Sequence, residues 1–214
     1  MKKYFNTILY AILFVSFTQI VNLFDVQAIG PQGSTVGLAG LNGAVHNFFG
    51  MHLFWYKLTQ VFGILAILVA AFFAVVGFIQ LIKRKSLLKV DKNILMLGVI
   101  YILVILLYVL FERFSINYRP VILDEALEPS YPSTHTMLIL TILGTAAYIS
   151  GAYIKNTKLL IAARIACFVI MALTIIGRMI CGVHWFTDIL GGILISVFLI
   201  SLYKDLVSVK KEEK

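Results

Sequence analysis

Six long apolar runs divide this chain of 214 residues, and each is long enough to cross a membrane as a helix. A helical span needs about 20 apolar residues. Hydrophobic residues make up 61% of the chain and charged residues 13%, whereas a soluble domain is about half apolar and about a quarter charged. The sequence therefore predicts an all-α polytopic membrane protein. Its six transmembrane helices are expected to pack as a bundle and to form a single membrane-embedded domain over residues 1–214.

The predicted spans leave short connections between them. They cover about residues 6–24, 53–82, 93–112, 134–154, 160–180 and 186–203. The first run also has the basic start and the small-residue site, at Val26-Gln27-Ala28, that are typical of a cleaved signal peptide. We favour a retained span, because removing it would leave the two chain ends on opposite sides. Residues 25–51 are rich in glycine, and their aromatic end is typical of a short helix in the membrane interface.

Lysine and arginine are distributed unevenly among the connections, and this asymmetry predicts the topology. If both termini are cytoplasmic, 14 of the 18 lysines and arginines lie on the cytoplasmic side, as the positive-inside rule requires. The net charge of +8 is thus a topology signal, and no nucleic-acid partner is expected. The same orientation places the polar segments near residues 119, 133 and 184 together on the outer side.

Polar residues near the last two runs form a constellation suited to phosphate chemistry. His184 and Asp188 are spaced i, i+4, so on a helix the carboxylate can fix the imidazole and leave its other nitrogen free to act as nucleophile or base. Arg178 precedes them, and a turn at Gly182 can bring its guanidinium to the same place. Taken singly, the same residues are also compatible with a capped helix start and with an arginine that reaches the lipid headgroups.

Two further segments lie on the predicted outer side. Arg119 is held extended by Pro120, and Pro132-Ser133-Thr134-His135 opens the fourth span. Ser133 or Thr134 can cap that helix, whose free N–H groups attract anions. His135, in the first turn, is placed to donate a proton to a leaving oxygen. Together the segments contain the groups needed for phosphoryl transfer through a phospho-histidine.

The two cysteines, Cys167 and Cys181, lie 14 residues apart, in or at the end of one predicted helix. A rise of about 1.5 Å per residue separates them by about 21 Å, which is too far for a disulfide. We interpret both as packing residues. No Cys/His spacing typical of zinc occurs, and neither a metal nor another cofactor is expected.

In these motifs the chain resembles the type 2 phosphatidic acid phosphatase superfamily of membrane lipid phosphate phosphatases. The family pattern is Lys-x6-Arg-Pro, Pro-Ser-Gly-His and Ser-Arg-x5-His-x3-Asp. The corresponding segments here are Arg119-Pro120, Pro132-Ser133-Thr134-His135, and Gly177-Arg178 followed by His184 and Asp188. The order of the motifs and the spacing within the third match the family, and the resemblance covers about residues 50–203.

The resemblance implies a role for each residue. His184 would be the nucleophile, Asp188 would orient it, and His135 would protonate the leaving group. The phosphate would be held by a second group of residues, namely Arg119, Arg178, Ser133 and Thr134. No metal is implied.

The chain departs from the family pattern at several positions. Glu112 stands where the family has lysine, and it is followed by Arg113, which could substitute for that lysine; both are candidate modulators of the site. We expect Glu112 to lie near the site and to pair with an arginine, because a desolvated carboxylate is costly unless it is paired. Gly177 replaces the serine of the third motif, and Thr134 replaces the glycine of the second.

The function predicted from these residues is hydrolysis of a lipid mono- or diphosphate on the outer side of the cell membrane. An isoprenoid diphosphate, phosphatidylglycerol phosphate and phosphatidic acid are all plausible substrates, and the sequence does not choose among them. The alternatives are a catalytically weak phospholipid-binding or transport protein on the same scaffold, or a small-solute transporter. Substrate and membrane lipids are the expected partners, and the oligomeric state is not readable from the sequence.

Overall fold

The computed structural model of the protein describes residues 2–123 and 125–208. Within those residues the regular structure is almost entirely helical, with three short 3-10 turns and two isolated β-bridges. The α-helices are α1 (Phe5–Leu23), α2 (Ala39–Phe49), α3 (Leu53–Arg84), α4 (Lys92–Arg113), α5 (Thr134–Tyr153), α6 (Thr157–Ile180) and α7 (Phe186–Val207).

All of these helices except α2 are long and apolar enough to cross a membrane, and they lie where the sequence predicts the six spans. The predicted fold class is therefore confirmed. Helix α6 begins earlier than predicted because Asn156 caps it, its Oδ1 accepting from the N–H of Leu159 at 3.1 Å. Helix α7 extends to Val207 because the side chains of Tyr203 and Val207 are buried in the core. The glycine-rich segment does contain a short helix, α2, and its place in the membrane interface stays a prediction.

Helices α5 and α7 form the centre of the molecule. In its most apolar stretch α5 buries 61% of its residues and α7 buries 50%, against 6% for α6. Helix α7 packs against α1 and α5, and α5 also packs against α3 and α6. The two helices that carry the predicted motifs at their first turns are thus the two most shielded from lipid.

The first turns of α5 and α7 lie very close to each other. A Cβ atom on Gly192 would lie 2.8 Å from Cβ of Thr136 and 2.9 Å from the carbonyl oxygen of Ser133, so only glycine allows this approach. The N–H of Ser133 donates to the carbonyl oxygen of Asp188 at 2.8 Å. The second and third motifs therefore meet through their backbones.

The turn between α6 and α7 depends on Gly182. Its φ is +72°, and a Cβ there would lie 2.2 Å from the carbonyl oxygen of Gly50. Next to it, the N–H of His52 donates to the carbonyl oxygen of Cys181 at 3.3 Å. The segment before α3 thus packs directly on the turn that leads to His184.

The loop between α4 and α5 folds back on itself. Arg119 N–H donates to the Glu128 carbonyl at 2.9 Å, and Ser130 N–H donates to the Asn117 carbonyl at 2.9 Å. Trp185, just before α7, donates from Nε1 to the carbonyl oxygen of Tyr118 at 2.6 Å. These contacts place the Arg119 segment beside the start of α7.

Candidate active site

The three predicted motifs meet at one end of the helix bundle, where the first turns of α5 and α7 lie beside the last turn of α6. Arg178, His184 and Asp188 are 0%, 4% and 0% exposed, and Ser133 is 0% exposed. Ionisable side chains buried this deeply in an apolar protein are costly, which makes a functional role their default explanation. Arg119 is partly exposed, with 17% of its side chain accessible.

The carboxylate of Asp188 is held next to the imidazole of His184. Its Oδ2 lies 3.6 Å from His184 Nδ1 and accepts a hydrogen bond from the N–H of Trp185 at 2.9 Å, which caps α7. The distance of 3.6 Å is longer than a hydrogen bond. Catalytic hydrogen bonds often tighten only when substrate binds.

The imidazole of His184 is almost completely buried. Among the described residues neither of its ring nitrogens has a hydrogen-bond partner. Burial, followed by the charges of Arg178, Arg119 and His135, holds the pKa of His184 well below its usual value. The ring is therefore neutral at physiological pH, as a nitrogen nucleophile must be.

Arg178 is a fully buried cation that is only partly satisfied. Its Nη1 donates to Thr59 Oγ1 at 3.3 Å, and its guanidinium carbon lies 5.6 Å from the ring centroid of Tyr56. Among residues 2–123 and 125–208, Nε and Nη2 find no acceptor. Because its side chain is 0% exposed, it does not reach toward headgroups at the surface. A buried guanidinium with two such unpaired nitrogens matches the oxygens of an anion such as phosphate.

Arg119 has an acidic neighbour that the sequence did not predict. Its Nε lies 2.9 Å from Oε2 of Glu128. That N–H is not aligned for a hydrogen bond, so the contact is a charge pair without a directed bond. The pair keeps a guanidinium near the site while leaving its N–H groups available to a stronger acceptor.

The start of α5 supplies the other side of the site. Ser133 caps the helix as predicted, its Oγ accepting from the N–H and from the hydroxyl of Thr136 at 3.4 and 3.0 Å. Thr134 is half-buried and lines a cavity of about 340 Å³ beside His135. The Nε2–H of His135 donates to Oε1 of Gln60 on α3, so the imidazole must exchange that partner before it can donate to a substrate.

Residues 93–211 match the family model of the PAP2 superfamily. The chain belongs to the PAP2 superfamily. It also resembles the crystal structure of the first transmembrane PAP2 type phosphatidylglycerolphosphate phosphatase from Bacillus subtilis, with a TM-score of 0.65 and 19% sequence identity over 99% of this chain and 100% of that one. At this identity the likeness establishes the fold alone. A comparison with curated proteins found no match.

The expectation that Glu112 pairs with an arginine is wrong. Glu112 and Arg113 end α4 with exposed side chains, and among the described residues neither forms a salt bridge. An exposed carboxylate keeps its water and has no need of a cation. The fold of the following loop brings Glu128 to Arg119 instead. The position of the PAP2 lysine thus lies at the surface.

Several residues near this PAP2 site were not predicted from the sequence. Thr59 and Gln60 are polar residues inside the apolar run of α3, which was a usable signal because polar groups within a span usually have a purpose. Asn117 and Glu128 lie in a loop where polar residues are ordinary, so no pattern marked them. In the described part of the chain, no group of three His, Cys, Asp or Glu side chains has the arrangement of a metal site.

Proposed function

We propose that this PAP2 protein hydrolyses a lipid mono- or diphosphate through a phospho-histidine intermediate on His184. The observation that carries the proposal is Arg178, a fully buried guanidinium at the site of the His184–Asp188 pair, two of whose nitrogens have no acceptor among the described residues. Removing one partner of a buried ion pair is strongly destabilising, because an uncompensated charge is left behind. An anionic ligand that enters the site supplies the missing partner.

In the proposed reaction the phosphate oxygens are held by Arg178, Arg119 and the start of α5, where Ser133 and Thr134 lie. A neutral nitrogen of His184 attacks the phosphorus, and the bond to the lipid oxygen breaks. His135, protonated on both ring nitrogens in the substrate complex, gives its Nε2 proton to that oxygen and becomes neutral, and the oxygen leaves as part of the lipid alcohol or monophosphate. Asp188 stabilises the imidazolium that forms. Water then attacks the phospho-histidine, returns a proton to His135 and releases inorganic phosphate.

The shape of the molecule next to His135 supports a lipid substrate. The cavity of about 340 Å³ lies among α3, α4 and α5 and is mostly apolar, with Ile64, Ile67 and Val104 in its lining. Two of the helices that bound it, α3 and α4, are largely unburied along their apolar stretches, and the cavity ends at His135 and Thr134 of the shielded helix α5. An acyl or isoprenoid chain in this cavity would bring its phosphate to the buried arginine. Candidate substrates are phosphatidylglycerol phosphate, on which the Bacillus subtilis protein acts by name, phosphatidic acid and an isoprenoid diphosphate.

We further propose that the whole chain forms one phosphatase unit with both termini in the cytoplasm and the site on the outer side of the cell membrane. The distribution of lysine and arginine supports this orientation, since 14 of 18 lie on the side assigned to the cytoplasm, either in connections and chain ends or toward the cytoplasmic ends of the helices. The substrate would then be drawn from the outer leaflet.

The test is release of inorganic phosphate by protein purified in detergent from dioctanoyl phosphatidic acid, phosphatidylglycerol phosphate and farnesyl diphosphate. We expect turnover of at least one of them and its near-complete loss in His184→Ala. His52→Ala is the matched control, because the side chain of His52 is exposed and its imidazole hydrogen-bonds to the carbonyl oxygen of Phe49, while the backbone contacts of His52 are kept in the alanine variant. Lipid binding without turnover by the wild type would instead favour the binding-protein alternative. Activity retained by His184→Ala would exclude the proposed nucleophile.

A further inference from the structure

Asn117 is completely buried beside the carboxylate of Asp188. Its Nδ2 donates to Asp188 Oδ1 at 3.1 Å, and its Oδ1 accepts from the N–H of Gly37 at 3.1 Å. Both asparagine and aspartate are 0% exposed. Because the N–H of Gly37 can only donate, the carbonyl end of the amide faces Gly37 and the NH2 end faces Asp188.

A second buried asparagine, Asn42 on α2, holds this arrangement from the other side. Its Oδ1 accepts from the N–H of Thr187 at 3.1 Å, and its Nδ2 donates to the carbonyl oxygen of Gly37 at 2.7 Å and to Thr187 Oγ1 at 2.9 Å. Gly37 is itself wedged against α1, since a Cβ there would lie 1.5 Å from the carbonyl oxygen of Val21. The position of Asn117 is therefore set by residues before α3.

Each carboxylate oxygen of Asp188 therefore has its own hydrogen-bond donor. Oδ1 accepts from Asn117 and Oδ2 accepts from the N–H of Trp185, so the carboxylate is fixed in orientation, and both hydrogen bonds favour its ionised form against the effect of burial. At metal sites, mutating a residue that hydrogen-bonds to a metal ligand typically lowers metal affinity or activity about 10- to 100-fold. The same reasoning applies to a carboxylate that must keep facing an imidazole.

We propose that Asn117 is a positioning residue for the phosphoryl transfer and that Asn42 and Gly37 complete the site from the N-terminal segment. The role of Asn117 is to hold Asp188 as an ionised acceptor aimed at His184. The segment that contains Asn42 lies outside residues 93–211, the part that matches the family model. This inference rests on the proposed function and names further residues on which that function depends.

Asn117→Asp provides a discriminating test because it keeps the size and shape of the side chain. When it is protonated, the new carboxyl group can still accept from the N–H of Gly37 and donate to Asp188. When it is ionised, it cannot donate, and its negative charge repels the carboxylate of Asp188. The new carboxyl would adjoin Asp188, and the charged and titratable groups around that carboxylate are His184, Arg119 and Tyr131. Two adjacent carboxyl groups hold a shared proton tightly. We expect activity within fivefold of the wild type at pH 5.5 and a loss of at least 20-fold, relative to the wild type, at pH 8.5.

The companion variants are Asn117→Ala and Asn42→Ala, with Asn47→Ala as the matched control. Asn47 lies on the same helix as Asn42 and is exposed. We expect kcat to fall about 10- to 100-fold in the two buried variants, with KM changed less than threefold, and no change in the control. The substrate is whichever of the three lipid phosphates the wild type hydrolyses fastest. If Asn117→Ala does not fold, Asn117→Asp carries the test alone.

The outcomes separate this inference from the proposed function. If the wild type is active but Asn117→Asp follows the pH profile of the wild type, or Asn42→Ala keeps its full kcat, the positioning role is refuted and the phosphatase proposal stands. If the wild type releases phosphate from none of the three lipids, the proposed function fails, and the positioning role fails with it.

Discussion

Replacing Glu128 by glutamine removes the carboxylate that lies 2.9 Å from Nε of Arg119 and leaves a neutral side chain of the same shape. In the resting protein this carboxylate is the anion nearest to a guanidinium that we assign to the substrate phosphate. The phosphate must therefore compete with Glu128 for Arg119. We expect Glu128→Gln to bind phosphate more tightly than the wild type does.

The size of the effect follows from the exposure of the pair. The side chains of Arg119 and Glu128 are 17% and 32% exposed, and the contact lacks an aligned hydrogen bond. Such a pair near the surface contributes about 0.2–1 kcal/mol. Because about 1.4 kcal/mol corresponds to a tenfold change in affinity, removing the competitor should strengthen phosphate binding by about 1.4- to 5-fold.

The assay is competitive inhibition of lipid-phosphate hydrolysis by inorganic phosphate. Glu112→Gln and Glu125→Gln are the matched controls, because both glutamates are exposed and neither contacts Arg119 through a salt bridge. We expect a lower inhibition constant in Glu128→Gln and unchanged constants in the controls. A higher constant in Glu128→Gln would mean that the carboxylate holds Arg119 in its working position instead of competing for it.

Three further changes test other parts of the account. Arg178→Lys keeps the charge but loses the planar fork, and kcat/KM should fall about 10- to 100-fold, since hydrogen bonds to charged groups are worth about 1.5–3 kcal/mol. Burial holds the pKa of His184 low in the folded protein. Below about pH 6.5, therefore, the imidazole takes up a proton only in the unfolded chain. The free energy of unfolding should fall as the pH drops from 7.5 to 5.5, by up to about 1.4 kcal/mol per pH unit. The accompanying fall in Tm should be smaller in His184→Gln than in the wild type. In a cysteine-free variant on intact cells, single cysteines in 113–132 should react with an impermeant reagent and those in 83–92 should not; the reverse pattern would overturn the topology.

The spans and the pairing of His184 with Asp188 could be predicted because their signals are local. An apolar run of about 20 residues has few alternatives to a membrane helix, and the i, i+4 spacing of His184 and Asp188 puts both side chains on one face. The cap formed by Ser133 follows from one residue type at the start of one helix. None of these inferences needed the path of the loops.

What could not be predicted depends on how loops fold in three dimensions. Glu112 was expected to pair with an arginine because it occupies the lysine position of the family. The loop after α4 reverses, however, and its backbone pairing brings Glu128 to Arg119 instead. Asn42 and Asn117 lie 75 positions apart, and only the folded segment before α3 brings them together through Gly37.

The central claim, a phosphoryl group carried by a histidine, can be tested by trapping the intermediate. The wild type is mixed with phosphatidic acid that carries a ³²P label in its phosphate, quenched within milliseconds and denatured in alkali. The account predicts protein-bound label that survives alkali, is released by acid and maps to His184, with none on His184→Ala. Label on another residue, or full turnover by the wild type with no label on the protein at any time, would contradict it.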